Sequence, residues 1–274
     1  MSQQNDTTHF GFRTVRTEEK QGLVRGVFDS VATRYDLMND LMSAGVHRIW
    51  KNALIDWVNP QPGQALLDVA GGTGDIAFRY MDRASHLAAV RRAARRDSGE
   101  DVAEPAPNSA ETTVSVCDIN AEMLKVGRDR AVDQGRLSGL TWACGNAESL
   151  PFPDRTFDHY TIAFGLRNVT HIDRALAEAR RVLKPGGRFF CLEFSKVVVP
   201  GLDAVYDLYS FQVLPRMGQI VARNREAYQY LAESIRKFPQ QDRMIEMMAE
   251  AGLRQNAYRN LSGGIACIHA GWRI

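Results

Sequence analysis

The sequence predicts an α/β fold: a mostly parallel sheet with crossover helices that closes in an antiparallel hairpin. Three observations predict it. Between residues 65 and 195, apolar strand-like runs alternate with helical periods in a βαβαβαβ order. The stretch "LLDVAGGTGDIA" (66–77) carries an apolar run through Asp68 into a glycine-rich turn and the start of a helix. The C-terminal "LRQNAYRNLSGGIACIHAGW" reads as two strands broken by Ser-Gly-Gly. At 274 residues the chain suffices for one large α/β domain with additions or for two small ones.

The elements follow in order. Residues 1–20 are polar and are expected to be ragged. From Gly22 to Val58 apolar residues recur at helical spacing, among them Leu23, Val27, Val31, Trp50, Leu54 and Trp57. "NPQPG" (59–63) ends that region and leads into "ALLDVA". The helix after the glycines is predicted to be short, Asp75 to Asp82. The following stretch, 83–113, begins Arg- and Ala-rich and ends rich in Ser, Glu and Pro, so it reads as a surface insertion, partly disordered. Its arginines read as a solvated helix face. "TVSVCDIN" (113–120), "LTWAC", "FDHYTIAF" (157–164) and "RFFCLEFS" are strands. A helix over 170–183 places Ala175, Leu176, Ala179 and Leu183 on one face. Residues 201–238 read as a helical excursion rich in Tyr and Phe, and 240–251 as a last helix.

Composition narrows the class. Apolar content of 45% with 24% charged residues is ordinary for a soluble globular protein, and a formal net charge of +2 gives no concentrated basic face for nucleic acid. Cys117, Cys144, Cys191 and Cys267 are widely spaced beside strand-like runs, so buried, reduced thiols are expected. The opening "MSQQNDTTHFGF" lacks a basic n-region and apolar h-region, and no apolar run approaches a membrane span. The expectation is a soluble cytoplasmic enzyme.

The glycine turn admits two cofactor readings. Gly72 to Ala77 matches the G-x-G-x-x-A dinucleotide pattern, whereas Asp68 to Gly74 has the D-x-A-x-G-x-G spacing of an S-adenosylmethionine (SAM) turn. Asp75 stands at the helix N-terminus, where a carboxylate repels pyrophosphate but suits a ligand bearing ammonium and sulfonium groups. Asp118 ends the next strand, where an acid can take both ribose hydroxyls. It lies about forty residues past the glycines rather than the usual ~20, and the insertion accounts for the excess. In "GNAESLPFPDRT" the side chain of Asn146 and the backbone of Ala147 can read an adenine edge. The final antiparallel pair is usual for class I methyltransferases and unusual for nicotinamide dehydrogenases. The turn is therefore read as a SAM site, with Gly71, Gly72, Thr73 and Gly74 against the cofactor and no metal.

Nine strings occur in order: "FGFRTV", "VFDSVATRYDLMNDLMSAGVHRIWK", "LDVAGGTGD", "CDINAEML", "GNAESLPFPDRTFD", "AFGLRNV", "RVLKPGGRFFCLEFS", "YSFQVLPRMGQIVA" and "YQYLAESIRKFPQQ". With them the sequence resembles the ubiquinone/menaquinone biosynthesis C-methyltransferases, the UbiE-type family, from about His9 to the C-terminus except in the insertion. The resemblance implies a Rossmann-like class I SAM-dependent methyltransferase fold: a mostly parallel seven-stranded sheet, an antiparallel C-terminal hairpin, N-terminal helices and a helical lid. It implies an N-terminal segment, 1–62, covering the active site of a methyltransferase domain, 63–274, with 201–238 as the lid. It also implies SAM contacts at Thr73, Asp118, Asn146 and Ala147, and carbon methylation of a polyprenylated benzoquinol or naphthoquinol. Ala163 stands where the family often has Ser, and His171 where an acid is usual. Asn224 and Glu226 replace common Asp, and Ala227 a common Ser.

Such a reaction needs an ionised ring hydroxyl to charge the ortho carbon, which then attacks the sulfonium methyl in line. The resemblance places Arg167, Asn168 and Tyr35 against the quinol. Arg167 stays protonated, so its expected part is to stabilise the phenolate, with a helix-capping or salt-bridging arginine as the plain alternative. Asn168 and Tyr35 would hydrogen-bond the ring oxygens, and Asp36 and His47 are weaker candidates for the proton acceptor. Tyr206, Tyr209, Phe211, Leu214 and Met217 read as the core stripe of a covering helix or as the inner face of a lid. The isoprenoid tail implies transient contact with the inner membrane surface, or handover within a quinone-biosynthesis complex, and homodimerisation stays open. Three rivals stand beside this reading: methylation of another small aromatic acceptor, a non-catalytic SAM-binding scaffold, and a nicotinamide oxidoreductase.

Overall fold

A computed structural model describes residues 6–31, 40, 43, 45–98, 111–201 and 225–274. Tyr35, Asp36, the aromatic run from Tyr206 to Met217, Asn224, and residues 99–110 of the insertion lie outside the described residues.

The N-terminus departs from expectation. Strands β1 (Thr7–Phe10) and β2 (Arg13–Arg16) form an antiparallel hairpin that turns through Gly11 at φ +59°. Helix α1 (Thr17–Val31) follows directly. Glu18 and Glu19 sit at its positive end, and the Arg16 backbone N–H donates back to Glu19 Oε2 at 3.3 Å, one half of a capping box. Helix α2 (His47–Val58) buries Trp50, Leu54, Ile55 and Val58 and ends at Asn59 in the left-handed conformation, just before Pro60.

Strand β3 (Ala65–Val69) opens the main sheet. Helix α3 runs Asp75–Asp97, fifteen residues beyond the predicted stop at Asp82. The first half of the supposed insertion is thus an extension of this helix. Its Ala, Leu and Arg residues favour helix without needing an apolar face, and Arg83 and Arg91 reach back to Asp56 and Gln61. Then come β4 (Thr113–Asp118), α4 (Ala121–Asp133), β5 (Leu140–Cys144), β6 (Phe157–Ala163) and α5 (Ile172–Val182). The chain continues through β7 (Leu183–Phe194), α6 (Arg225–Lys237), α7 (Gln241–Glu250), β8 (Arg254–Leu261) and β9 (Ala266–Trp272).

The seven strands lie in the order β5-β4-β3-β6-β7-β9-β8. The first five are parallel, and β9 pairs antiparallel with both β7 and β8, as predicted from the C-terminal pattern. Chain order reverses between β3 and β6, which makes the crevice beyond their carboxyl ends the topological switch point. Strand alternation splits the core into two layers. Leu66, Phe190, Leu192 and Phe194 face α2 and α3, while Leu67, Val69, Tyr160 and Cys191 face α5 and α7. Cys117, Cys191 and Cys267 are buried free thiols. Cys144 is exposed, contrary to expectation, because it ends β5 at the open edge of the sheet.

Candidate cofactor and acceptor site

The turn after β3 is built for close approach. A Cβ on Gly71 would lie 2.7 Å from Val116 Cγ1 and 2.8 Å from Asp68 Oδ2, so only glycine fits. Gly72 and Thr73 line the cavity beyond the strand ends with Gly71. Gly74, at φ +81°, caps α3 against Trp142 and Phe78 and stands just outside the cavity wall.

Asp118 closes the turn from β4. Its Oδ2 accepts from the Gly72 backbone N–H at 2.9 Å and its Oδ1 from that of Asn120 at 2.8 Å. Burial pushes its carboxyl up to about 6, against the opposing pull of those N–H groups, so at neutral pH it remains an anionic acceptor. The loop after β5 brings Asn146 and Ala147 into the same wall. Asn146 Oδ1 accepts from the Glu148 N–H, and Glu148 Oε1 accepts from the N–H groups of Thr170 and His171, tying this loop to the one after β6.

Two acids are rearranged relative to expectation. Asp75 lines the cavity, but Lys51 donates to its Oδ2 at 2.7 Å and Arg79 to its Oδ1 at 2.9 Å. Burial works against its charge, yet the two cations hold it below its ordinary value, so it has no spare charge to offer a ligand. Asp68 has that capacity. Thr161 on β6 donates to its Oδ1 at 2.8 Å, and its buried Oδ2 has no protein partner among the described residues. Burial pushes this carboxyl up to about 7.

The N-terminal region reaches the cavity too. Lys20 Nζ donates to the Val169 carbonyl at 3.0 Å and Arg25 to that of Ile119 at 3.3 Å, which sets Gln21, Val24 and Arg25 of α1 in the wall. Those three residues and Lys51 were not among the predicted site residues. No local pattern marks them, because they meet the turn only through folding. Asp68 was visible in the D-x-A-x-G-x-G spacing as the acid before the turn.

The expected acceptor-binding residues separate. Asn168, in the turn Leu166–Asn168 after β6, lines the cavity with Ala163, Phe164 and Val169. Arg167 does not. Its side chain is 1% exposed and pairs with Glu193 of β7 at 2.9 Å, while Nη1 also donates to the Phe164 carbonyl. The salt-bridging alternative for Arg167 is the arrangement present. His47 is buried on α2, with its Nδ1 2.9 Å from Ser43 Oγ. Burial, reinforced by Lys51, lowers its pKa to about 4, and it lies outside the cavity wall.

These residues fit SAM. An unpartnered buried carboxylate suits a cationic ligand, a carboxylate acceptor at a strand end suits ribose, and Ile119 and Met123 offer apolar wall for a flat ring. Among the described residues, no group of three or more His, Cys, Asp or Glu side chains could hold a metal ion.

Known proteins agree with this geometry. A SAM-dependent methyltransferase from Aquifex aeolicus superposes with a TM-score of 0.54 at 13% identity, covering 82% of this chain and 89% of that one. A geranyl diphosphate C-methyltransferase from Streptomyces coelicolor superposes with a TM-score of 0.53 at 16% identity, covering 85% and 82%. At such identities the likeness establishes the fold. Sequence relatives go further. The ubiquinone/menaquinone biosynthesis C-methyltransferase UbiE of Paracoccus denitrificans is 55% identical over 97% of both chains. The mitochondrial 2-methoxy-6-polyprenyl-1,4-benzoquinol methylase of Bos taurus is 53% identical over 100% of this chain and 86% of its own. Residues 13–273 match the ubiE/COQ5 methyltransferase family. A SAM-type turn, acids at the carboxyl ends of β3 and β4 and near-complete coverage by these relatives give one conclusion: this chain belongs to the ubiE/COQ5 methyltransferase family.

Proposed function

We propose that this protein transfers a methyl group from SAM to a ring carbon of a polyprenylated quinol, in ubiquinone biosynthesis, menaquinone biosynthesis or both. The observation that carries the reading is one continuous wall. It runs from the glycine turn and Asp118, through Asn146 and Ala147, to Asn168 at the switch point.

SAM supplies an electrophilic methyl on a sulfonium. The chain's part is to hold it and to ready the ring. Asp118 accepts from the ribose hydroxyls, Asn146 and the Ala147 backbone read the adenine edge, and Gly71, Gly72 and Thr73 admit the backbone close to the ligand. Asp68 faces the cationic end. Asn168 hydrogen-bonds a ring oxygen and favours its ionised form, with Tyr35 as a second contact from the N-terminal segment. With one hydroxyl ionised, the ortho carbon would take the methyl that bound SAM supplies, the S–CH3 electron pair being left on sulfur. Loss of the ring proton then restores aromaticity. Arg167 acts from behind this surface. Its pairing with Glu193 fixes the turn that carries Asn168, which makes it a positioning residue.

The acceptor's isoprenoid tail calls for transient contact with a membrane surface from the cytoplasmic side. Among the described residues, no helix is long and apolar enough to cross a membrane. The test uses purified protein, methyl-labelled SAM and two reduced acceptors, a demethylmenaquinol and a polyprenyl methoxy-benzoquinol. Label entering a ring only when that ring is reduced is the expected result. Label in neither ring, with SAM still bound, would overturn the reading.

A further inference from the structure

We infer that Tyr230 is a positioning residue for the methyl transfer, aiming the carboxamide of Asn168 so that its N–H2 end meets the ionising ring oxygen. The inference deepens the function proposed above and rests on it.

Tyr230 lies on α6, 62 residues from Asn168 in sequence, and its hydroxyl donates to Asn168 Oδ1 at 3.0 Å. An asparagine side chain has one accepting and one donating end. With the oxygen engaged, the Nδ2 end is the one left for a ligand, and among the described residues it has no protein partner. A donor on the cavity wall is the chemistry a developing phenolate needs, whereas an amide oxygen in that place would repel it. The tyrosine is itself immobilised. It is 4% exposed, and its ring stacks on Phe10 of β1 with centroids 4.1 Å apart and planes 16° from parallel. The hairpin that supplies Phe10 is pinned to the same helix, because the Phe12 backbone N–H donates to Glu233 Oε2 at 2.9 Å. Burial raises the Tyr230 hydroxyl well above its ordinary value, and the Arg167–Glu193 pair lies close by, so the hydroxyl keeps the proton it donates. The N-terminal hairpin and α6 are therefore linked to the reacting centre through one hydroxyl.

The test is a double-mutant cycle on the full-length protein with SAM and a reduced polyprenyl benzoquinol. Tyr230→Phe keeps the ring stack and removes only the hydroxyl. It is expected to lower kcat about tenfold, with the quinol KM and SAM affinity within about twofold. Asn168→Ala is expected to lower kcat about 100-fold, and adding Tyr230→Phe to it should lower kcat no further. A merely structural tyrosine would shift the thermal midpoint and multiply its effect into the Asn168→Ala background. Unchanged kcat in Tyr230→Phe, or full multiplicativity in the double variant, would overturn the inference while leaving the proposed function intact. Failure of the unaltered protein to methylate any quinol would remove both.

Discussion

Thr161 and Asp68 occupy register-paired positions on neighbouring parallel strands, and the threonine hydroxyl donates to Asp68 Oδ1 at 2.8 Å. That single bond satisfies one carboxylate oxygen and leaves the other buried and without a hydrogen-bond partner among the described residues, on a residue that lines the cavity. The arrangement sets an acid that prefers to be protonated beside a site for a cation.

Its pH dependence has a definite sign. The Asp68 carboxyl is raised from 3.8 to about 7, so between those values the folded state holds more protons than the unfolded one. The Asp68 contribution to the stability of the ligand-free protein therefore falls as pH rises from about 4 to 7, by at most about 4 kcal/mol, while the buried His47, His159 and His269, each held at about 4, contribute with the opposite sign over the lower part of that range. Denaturant titrations of the protein and of Asp68→Asn across that range read it as the difference between the two profiles, the variant gaining stability relative to the parent as pH rises; parallel profiles would show that Asp68 does not titrate there.

SAM binding should reverse that preference. A cation beside Asp68 favours the ionised form, so binding below pH 7 releases a proton and affinity rises with pH until about 7. Calorimetry in two buffers of different ionisation enthalpy reads the released proton directly. Asp68→Asn should bind more weakly, by about tenfold, and release none. Equal proton release from the variant would show that another group titrates.

Lys51 and Asp75 form an ion pair whose lysine side chain is 6% exposed. Lys51→Ala leaves Arg79 as the remaining partner, so the expected loss is about 2 kcal/mol, below the range for a fully orphaned buried charge. Thermal unfolding should shift down by about 4–8 °C for a domain of this size. A change under 1 °C would mean that Arg79 alone suffices.

Arg167→Met strands Glu193, which is fully buried, and should destabilise by about 3–5 kcal/mol. Lost activity in that variant is therefore no proof of contact with substrate. The double variant Arg167→Met/Glu193→Leu should recover much of the stability. If it also recovers at least a tenth of the original kcat, Arg167 acts only by position; stability without activity would point to a direct catalytic part.

Gly71→Ala is the sharpest local test. Its Cβ meets Val116 Cγ1 and both the side chain and carbonyl of Asp68 at under 3 Å. SAM affinity should fall by at least about 100-fold, because the turn must open to admit the methyl group. Retained affinity would mean that the turn moves freely.

The alternation of strands and helices, the glycine turn and the antiparallel close are all legible in the sequence, because each rests on short-range periodicity and turn chemistry. Strand β3 announces itself by "ALLDV", and the final reversal by Ser-Gly-Gly. Where local signals compete, the reading slips. Residues 83–97 lack an apolar period, yet Ala and Arg carry helix propensity enough to extend α3 to Asp97. Polar residues 7–16 looked ragged, but their hairpin is held by Phe10 on Tyr230, a contact across 220 residues.

The sequence alone determined where the glycine turn and the strand-end acids stand, since a turn that needs glycine and strand ends that need acids leave their marks in adjacent positions. Only the tertiary structure decided what each charge does. Asp75 and Arg167 read as free to act on a ligand, and both are neutralised, by Lys51 with Arg79 and by Glu193. Asp68 lines the cavity with one carboxylate oxygen that has no hydrogen-bond partner among the described residues. Charge partners come from distant segments brought together by packing, and a buried charge takes its properties from those partners rather than from its neighbours in the chain.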